Sequence, residues 1–273
     1  MDFGGSTVDV VYWNADVIDR IQSYERLEVA TQSLDAFVEG VGLDLTDVES
    51  IYVTGGKTHA FVKIFNLIPV IRVNEIDAIG WGGAWLLKQE DEQIDQCLVV
   101  SMGTGTCMVS FQGAEITHLG GTGVGGGTFQ SLCTLLLKEN NPECLVSLFK
   151  EGDLSRVDLS VGDIVGRGIG RVSSDVTASN LGKVSSSVEE IDFSKADLGA
   201  GIANLIGQTI ATAAVFAAKS ENLETIVFTG KLIRITPIVD IILKVGELYG
   251  RKIVVPENGK AVSAIGAACA GMI

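Results

Sequence analysis

Positive charge is scarce in this sequence. Twenty Lys and Arg stand against 34 Asp and Glu, for a net charge of −14. That balance argues against nucleic acid or an anionic membrane surface as the main partner. It does not exclude a phosphate group held locally by backbone dipoles and a metal ion. Long apolar runs are missing too. The longest candidate, residues 205–219, is rich in Ala and Thr and falls short of the roughly 18 uncharged residues a membrane span needs. No basic segment followed by an apolar core opens the chain, so no secretory leader is expected. The five cysteines (Cys97, Cys107, Cys133, Cys144 and Cys269) form no C-x-x-C pair and lie in apolar contexts. They read as buried, reduced thiols of a cytoplasmic protein.

Glycine, by contrast, is abundant. Residues 118–137 read HLGGTGVGGGTFQSLCTLLL, with six glycines between Gly120 and Gly127 and then an apolar run. Glycines let backbone N–H groups converge on an anion because no Cβ blocks the approach. A helix that starts directly after such a loop adds unpaired N–H groups and the positive end of its dipole. Gly121, Gly123 and Gly126 also satisfy G-x-G-x-x-G, but no ribose-binding acid at a strand end follows about 20 residues later, so the match is coincidental.

Two further glycine turns join apolar runs. Asp2, Gly4, Gly5 and Ser6 precede a strand-like run at residues 8–13, and only Met1 precedes Asp2, so most of the first strand is absent: either the start is placed late or the protein does with a short strand. Residues 97–101 and 107–111 form the same strand, Gly/Thr turn, strand pattern around Gly103, Thr104, Gly105 and Thr106. A short strand at 115–119 leads into the glycine loop, and a helix is expected at 128–138. Elsewhere, helices are expected at 34–41, 59–65, 78–88, 142–150, 238–249 and 261–270, and strands at 51–53, 70–73, 225–228 and 252–255. Ser194 is a candidate N-cap for a long small-residue helix that runs through Ala218. Strands with helices between them make the class α/β, and the repeated hairpin predicts two similar lobes, residues 1–90 and 91–273, facing a cleft.

Taken in order, the motifs DFGGST (2–7), TGG (54–56), NEIDAIG (74–80), SMGTGT (101–106), LGGTGVGGGTFQSL (119–132), EGD (151–153), TASNLG (177–182), VFTGKLIR (227–234) and ENGKAVSAIGA (257–267) span almost the whole chain. In that order they resemble the type II, eukaryotic-like pantothenate kinases of the actin-like ATPase and sugar kinase superfamily. The resemblance implies two actin-like (ribonuclease H-like) lobes with a nucleotide cleft between them. It implies transfer of the ATP γ-phosphate to the primary hydroxyl of pantothenate, the first step to coenzyme A. On that footing Gly4, Gly5, Ser6, Thr104, Gly105, Gly125, Gly126, Gly127 and Thr128 would hold phosphates, and Gly230 would face adenine. Asp2 would orient Mg²⁺, and Glu75 would take the hydroxyl proton. His118, Thr177 and Asn180 would lie on the pantothenate side.

The resemblance also implies a homodimer and inhibition by acyl-CoA. Close packing by the small residues at 198–218 supports the dimer. Two positions depart from the family pattern: Asp9 stands where it carries Lys, and His118 where it carries Arg. An anion at position 9 would repel ATP unless its side chain points away. The departures leave open a kinase for another small alcohol, or a non-catalytic nucleotide- or acyl-CoA-binding relative.

Overall fold

The structure, a computed structural model, describes residues 1–14, 17–26, 33–56, 58–170, 172–184 and 192–271. Strands β1 (Asp2–Phe3), β2 (Thr7–Asn14) and β3 (Val17–Glu25) form an antiparallel meander in which Asp2 pairs with Asp9. Helix α1 (Leu34–Val41) starts at Ser33, whose Oγ accepts from Ala36 N at 3.1 Å, and ends at Gly42 in the left-handed region with φ 65°. Then come β4 (Ile51–Val53), β5 (Ile64–Phe65), β6 (Ile68–Arg72) and α2 (Glu75–Glu90). The helix expected at 59–65 is instead a single 3₁₀ turn over Thr58–Ala60 followed by β5. That segment is too short to form the costly first turn of a helix alone, and Ile64 and Phe65 pair with Pro69 and Ile68.

The second lobe begins with β7 (Gln96–Met102), β8 (Thr106–Gln112) and β9 (Glu115–Thr122). Helix α3 (Gly126–Leu132) continues as a π-helical turn over Cys133–Leu137, and α4 (Pro142–Glu151) follows. A small substructure of β10 (Leu159–Ser160), α5 (Val161–Val165) and β11 (Thr177–Ser179) precedes α6 (Lys195–Ser220). The lobe closes with β12 (Thr225–Thr229), α7 (Thr236–Tyr249), β13 (Lys252–Val254) and α8 (Val262–Gly271). Ser194 caps α6 as expected, in a reciprocal box with Asp197.

Both lobes share one strand order. In the second, β9, β8 and β7 run antiparallel, and β12 and β13 add in parallel beside β7. In the first, β3, β2 and β1 run antiparallel. β1 then meets β4 through a parallel bridge from Asp2 to Thr54, with Phe3 N donating to Thr54 O at 2.9 Å, and β6 adds beside β4. Strand β7 is buried on both faces. Leu98, Val100 and Met102 join a core with α6 and α7, while Cys97 and Val99 join a second core with α2 and α8.

That second core ties the lobes together. Helix α2 follows the first sheet in sequence but packs on the second, whereas α8 follows the second and packs on the first. The two helices cross where neither has room for a side chain. A Cβ on Gly266 would stand 1.7 Å from Ala78 O, and one on Gly82 would stand 2.0 Å from Val262 O. Gly83 is pressed on Val99 of β7 in the same way, where a Cβ would meet Cγ2 at 2.4 Å.

Helix α6 is, by length and composition, apolar enough to cross a membrane, which corrects the shorter run read from the sequence, and 56% of its most apolar window is buried inside the protein. Its small residues are used within the chain: Gly199 lies against Phe149, Gly201 against Leu181 and Gly207 against Ile241. These three glycines therefore lend no support to a dimer.

The crossing of α2 and α8 should be intolerant of a single methyl group. Gly266→Ala is expected to lower unfolding stability by about 3 kcal/mol or more. Gly40→Ala, on α1 with nothing within 4 Å, should be neutral or stabilising by up to about 1 kcal/mol. Urea unfolding of both variants checks the pair of outcomes.

Candidate functional site

The two β-hairpin turns that open the two sheets meet tip to tip. Ser6 Oγ lies 3.5 Å from Thr104 Oγ1, and a Cβ on Gly5 would stand 2.7 Å from Thr104 Oγ1. Arg26 Nη1 donates to Gly4 O at 2.8 Å and braces the first turn from behind. A cleft of about 580 Å³ opens around these turns. Asp2, Gly4, Gly5, Ser6, Glu75, Thr104, Gly105, Gly126, Gly127 and Gly230 all line it. The topology thus gathers most of the residues singled out in the sequence, from both halves of the chain.

The glycine loop serves a different local purpose from the one its sequence suggests. Residues 120–122 are the end of β9, so only part of the stretch is a loop. Gly126 N donates to Gly103 O at 2.8 Å and Gly127 N to Thr104 O at 2.9 Å. These two N–H groups, expected to be free for phosphate, instead hold the start of α3 against the second hairpin turn. The glycines are required by that docking, since a Cβ on Gly125 would lie 2.6 Å from Gly105 C and one on Gly126 2.8 Å from Gly103 O. Thr128 Oγ1 donates to Gly123 O at 2.8 Å. Gly125 and Thr128 support the cleft from outside its lining. Gly230, with φ 88°, passes so close to β7 that a Cβ would stand 2.4 Å from Met102 O.

Carboxylates dominate the first-lobe side. Asp2 lies opposite Asp9 in the β1–β2 register, and Glu75 is the first residue of α2, just after the N-cap Asn74, whose Oδ1 accepts from Ile76 N at 2.8 Å. Burial, with help from the Asp9 and Glu75 carboxylates, pushes the Asp2 carboxyl up to about 7. Glu75 also contributes, after burial, to raising the Cys107 thiol, so its charge reaches both sides of the cleft floor.

Asp9 points into the cleft and is buried, contrary to the condition under which it would spare a nucleotide. It is paired: Lys231 Nζ, from the second lobe, approaches Asp9 Oδ1 to 2.5 Å, and Ser23 Oγ donates to the same oxygen at 2.5 Å. Lys231, Ser23, Arg234 and Lys260 line the cleft and were not anticipated. Lys231 stands beside Gly230 in the sequence, but nothing in a single sequence ties it to a residue 222 positions away.

Three expected residues lie elsewhere. His118 is exposed on β9, opposite Val109 of β8. Thr177 and Asn180 belong to a polar network around the buried Asp158. Thr177 Oγ1 donates to Asp158 Oδ2 at 3.1 Å, Asn204 Nδ2 to the same oxygen at 2.7 Å, and Asn180 Nδ2 to Gln208 Oε1 at 2.9 Å. None of the three lines the cleft. Cys97 and Cys133 are fully buried, and burial pushes both thiols up to about 12, which leaves neither a nucleophile.

Among the described residues no group of three His, Cys, Asp or Glu side chains is arranged to cage a metal ion. The crowded Asp2 carboxyl nonetheless fits Mg²⁺, which takes oxygen ligands and is commonly held by one or two carboxylates together with phosphates rather than by an all-protein cage.

A family model described as Fumble matches residues 1–246. Among curated proteins, the type II pantothenate kinase of Staphylococcus haemolyticus (strain JCSC1435) is 32% identical over 226 residues, covering 82% of this chain and 84% of that protein. The type II pantothenate kinase of Bacillus cereus (strain G9842) is 28% identical over 234 residues, covering 84% and 82%. Two solved structures share the fold. The activator of the 2-hydroxyisocaproyl-CoA dehydratase from Clostridium difficile with bound ADPNP has a TM-score of 0.62 at 14% identity, covering 98% of this chain and 91% of that one. The ROK family glucokinase from Streptomyces griseus in complex with glucose and AMPPNP has a TM-score of 0.53 at 14% identity, covering 98% and 97%. The two-lobe fold of the chain is that of these two structures.

Crowding at Asp2 makes a signed prediction for the ligand-free protein. A carboxyl held at about 7 when folded, against an ordinary 3.8, binds its proton more tightly in the folded state across that window. Folding stability from this group is therefore present at pH 4 and lost as pH rises to 7. Asp2→Asn should flatten this fall and melt several degrees above wild type at pH 8. Equal pH slopes for the two proteins would exclude the crowding.

Proposed function

The chain belongs to the Fumble family, and from that premise we propose that it is a pantothenate kinase. It transfers the γ-phosphate of ATP to the primary hydroxyl of pantothenate, the first step of coenzyme A synthesis. The observation that supports this reading most strongly is the cleft between two glycine hairpins, with Asp2 and Glu75 on its floor, in a chain 32% identical to a type II pantothenate kinase over most of its length.

The residue roles follow from chemistry. The hairpin turns at Gly4–Ser6 and at Gly103–Thr106 would cradle the phosphates, because their glycines let backbone N–H groups approach an anion. The Gly230 turn would carry the adenosine end. Asp2 would hold Mg²⁺. When bound, that ion would supply positive charge that offsets the charge of the phosphates. A primary alcohol is a poor nucleophile at neutral pH, and Glu75 would accept its proton as the bond to phosphorus forms. Glu75 is exposed at the start of α2, so a hydroxyl can reach it without passing through the core.

On the acceptor side, His118 shares a face of β9 with Ile116, whose side chain covers Gly80 of α2. That position would put it beside the acceptor. Thr177 and Asn180, with Asp158 and Asn204 behind them, would form a firm second wall. A homodimer and acyl-CoA inhibition rest on family membership alone.

Glu75→Gln keeps shape and hydrogen bonding and removes the base. Pantothenate-dependent turnover should fall by about 10²–10⁴-fold with ATP affinity retained. His118→Arg should keep or raise turnover, since it would put a fixed charge on the proposed acceptor side, where the family pattern carries Arg. Undiminished turnover in Glu75→Gln would rule out the base assignment.

A further inference from the structure

We infer that Lys231 is the side chain that meets the nucleotide phosphates, and that Asp9, with Ser23, is the positioning pair that aims it. The inference rests on the cleft being a nucleotide site, and goes beyond it by assigning a residue.

The geometry is specific. Lys231 follows Gly230, whose backbone is fixed by tight packing on Met102 and by donation of Gly230 N to Gly259 O at 2.9 Å. From that anchor on the second lobe its side chain crosses the cleft to the first. There Nζ lies 2.5 Å from Asp9 Oδ1 and 3.2 Å from Ser23 Oγ. Asp9 is the register partner of Asp2, so the ammonium is held at the base of the hairpin whose turn is Gly4–Ser6. The Lys231 side chain is 29% exposed, against 5% for Asp9, so the ammonium is the more accessible partner of the pair and covers the Asp9 carboxylate where both line the cleft.

Charge makes the arrangement necessary. Asp2, Asp9, Glu25 and Glu75 line the cleft, and Lys231, Arg234 and Lys260 are the basic residues that line it. A triphosphate brings several further negative charges. Of the three cations, Lys231 is tied directly to the strand behind the first hairpin. An ammonium has three donors. Asp9 and Ser23 occupy two directions, and the third remains for a phosphate oxygen. Asp9, an anion that would repel a nucleotide if bare, becomes the fixed support for a cation.

The test is direct binding of nucleotide, read by titration calorimetry without any acceptor. Lys231→Met should weaken ATP and ADP by about 10- to 100-fold, the worth of a charged hydrogen bond, and leave adenosine within about twofold. Lys231→Arg should restore most of the ATP affinity. The deciding comparison adds Asp9→Asn. If Lys231 touches phosphate, Lys231→Met still weakens ATP when made in the Asp9→Asn background. If it only neutralises Asp9, the double variant binds ATP as Asp9→Asn does, and the proposal is overturned. Equal losses for ATP and adenosine would reduce Lys231 to a tie between lobes and also overturn it, as would an unchanged ATP affinity. Because no pantothenate is present, a wrong acceptor assignment leaves these results unaffected. A wild-type protein that binds no ATP would instead bring down the nucleotide reading and this proposal together.

Discussion

Helices α2 and α8 cross with backbone against backbone, and the cleft depends on that contact. Each helix leaves its own lobe to cover the sheet of the other, so the crossing is where the two lobes are joined. The N-terminal end of α2 carries Glu75 into the cleft, and the N-terminal end of α8 carries Val262 and Ser263. A methyl group at Gly82 or Gly266 would force the helices apart and move both ends. The same economy of space recurs at the hairpins, where Gly5 meets Thr104 and Gly125 meets Gly105. Glycine in this chain is largely the residue of close approach, and the phosphate site proposed here would follow from surfaces brought near enough to share one anion.

Electrostatics acts inside that frame. Burial first, and then the neighbouring Asp9 and Glu75 carboxylates, raise the proton affinity of Asp2. Such an arrangement costs stability in the empty protein and is relieved by cations. One cation is built in, as Lys231 reaches from the opposite lobe to Asp9. Another would arrive with the nucleotide as Mg²⁺. Perturbed carboxylates in a cleft often mark functional sites, because binding recovers what folding has spent.

Much of this was legible in the sequence. Two strand, Gly/Thr turn, strand units predicted two similar lobes, because a glycine turn between apolar runs is a hairpin wherever it occurs. Ser194 announced the start of α6 as an N-cap, a local device readable in the sequence, and the structure adds its reciprocal partner Asp197. Strand β3 drew no expectation, since none of its residues is fully buried and its apolar pattern is weak. The partners of Gly126 N and Gly127 N were unreadable, because a glycine-rich stretch looks alike whether its N–H groups await an anion or bind a neighbouring turn. Asp9 appeared as an isolated anomaly until the fold brought Lys231 to it. Contacts between distant segments are set by topology, and a single sequence carries no trace of them.

The central claim is that this cleft transfers the γ-phosphate of ATP to the hydroxyl of pantothenate, releasing ADP. Phosphorus NMR of wild-type protein with ATP, Mg²⁺ and pantothenate tests it most directly. The account predicts a new phosphomonoester resonance on the primary hydroxyl of pantothenate, growing in step with ADP. Formation of ADP without that phosphomonoester, or no ADP at all from a protein that binds ATP, would contradict it.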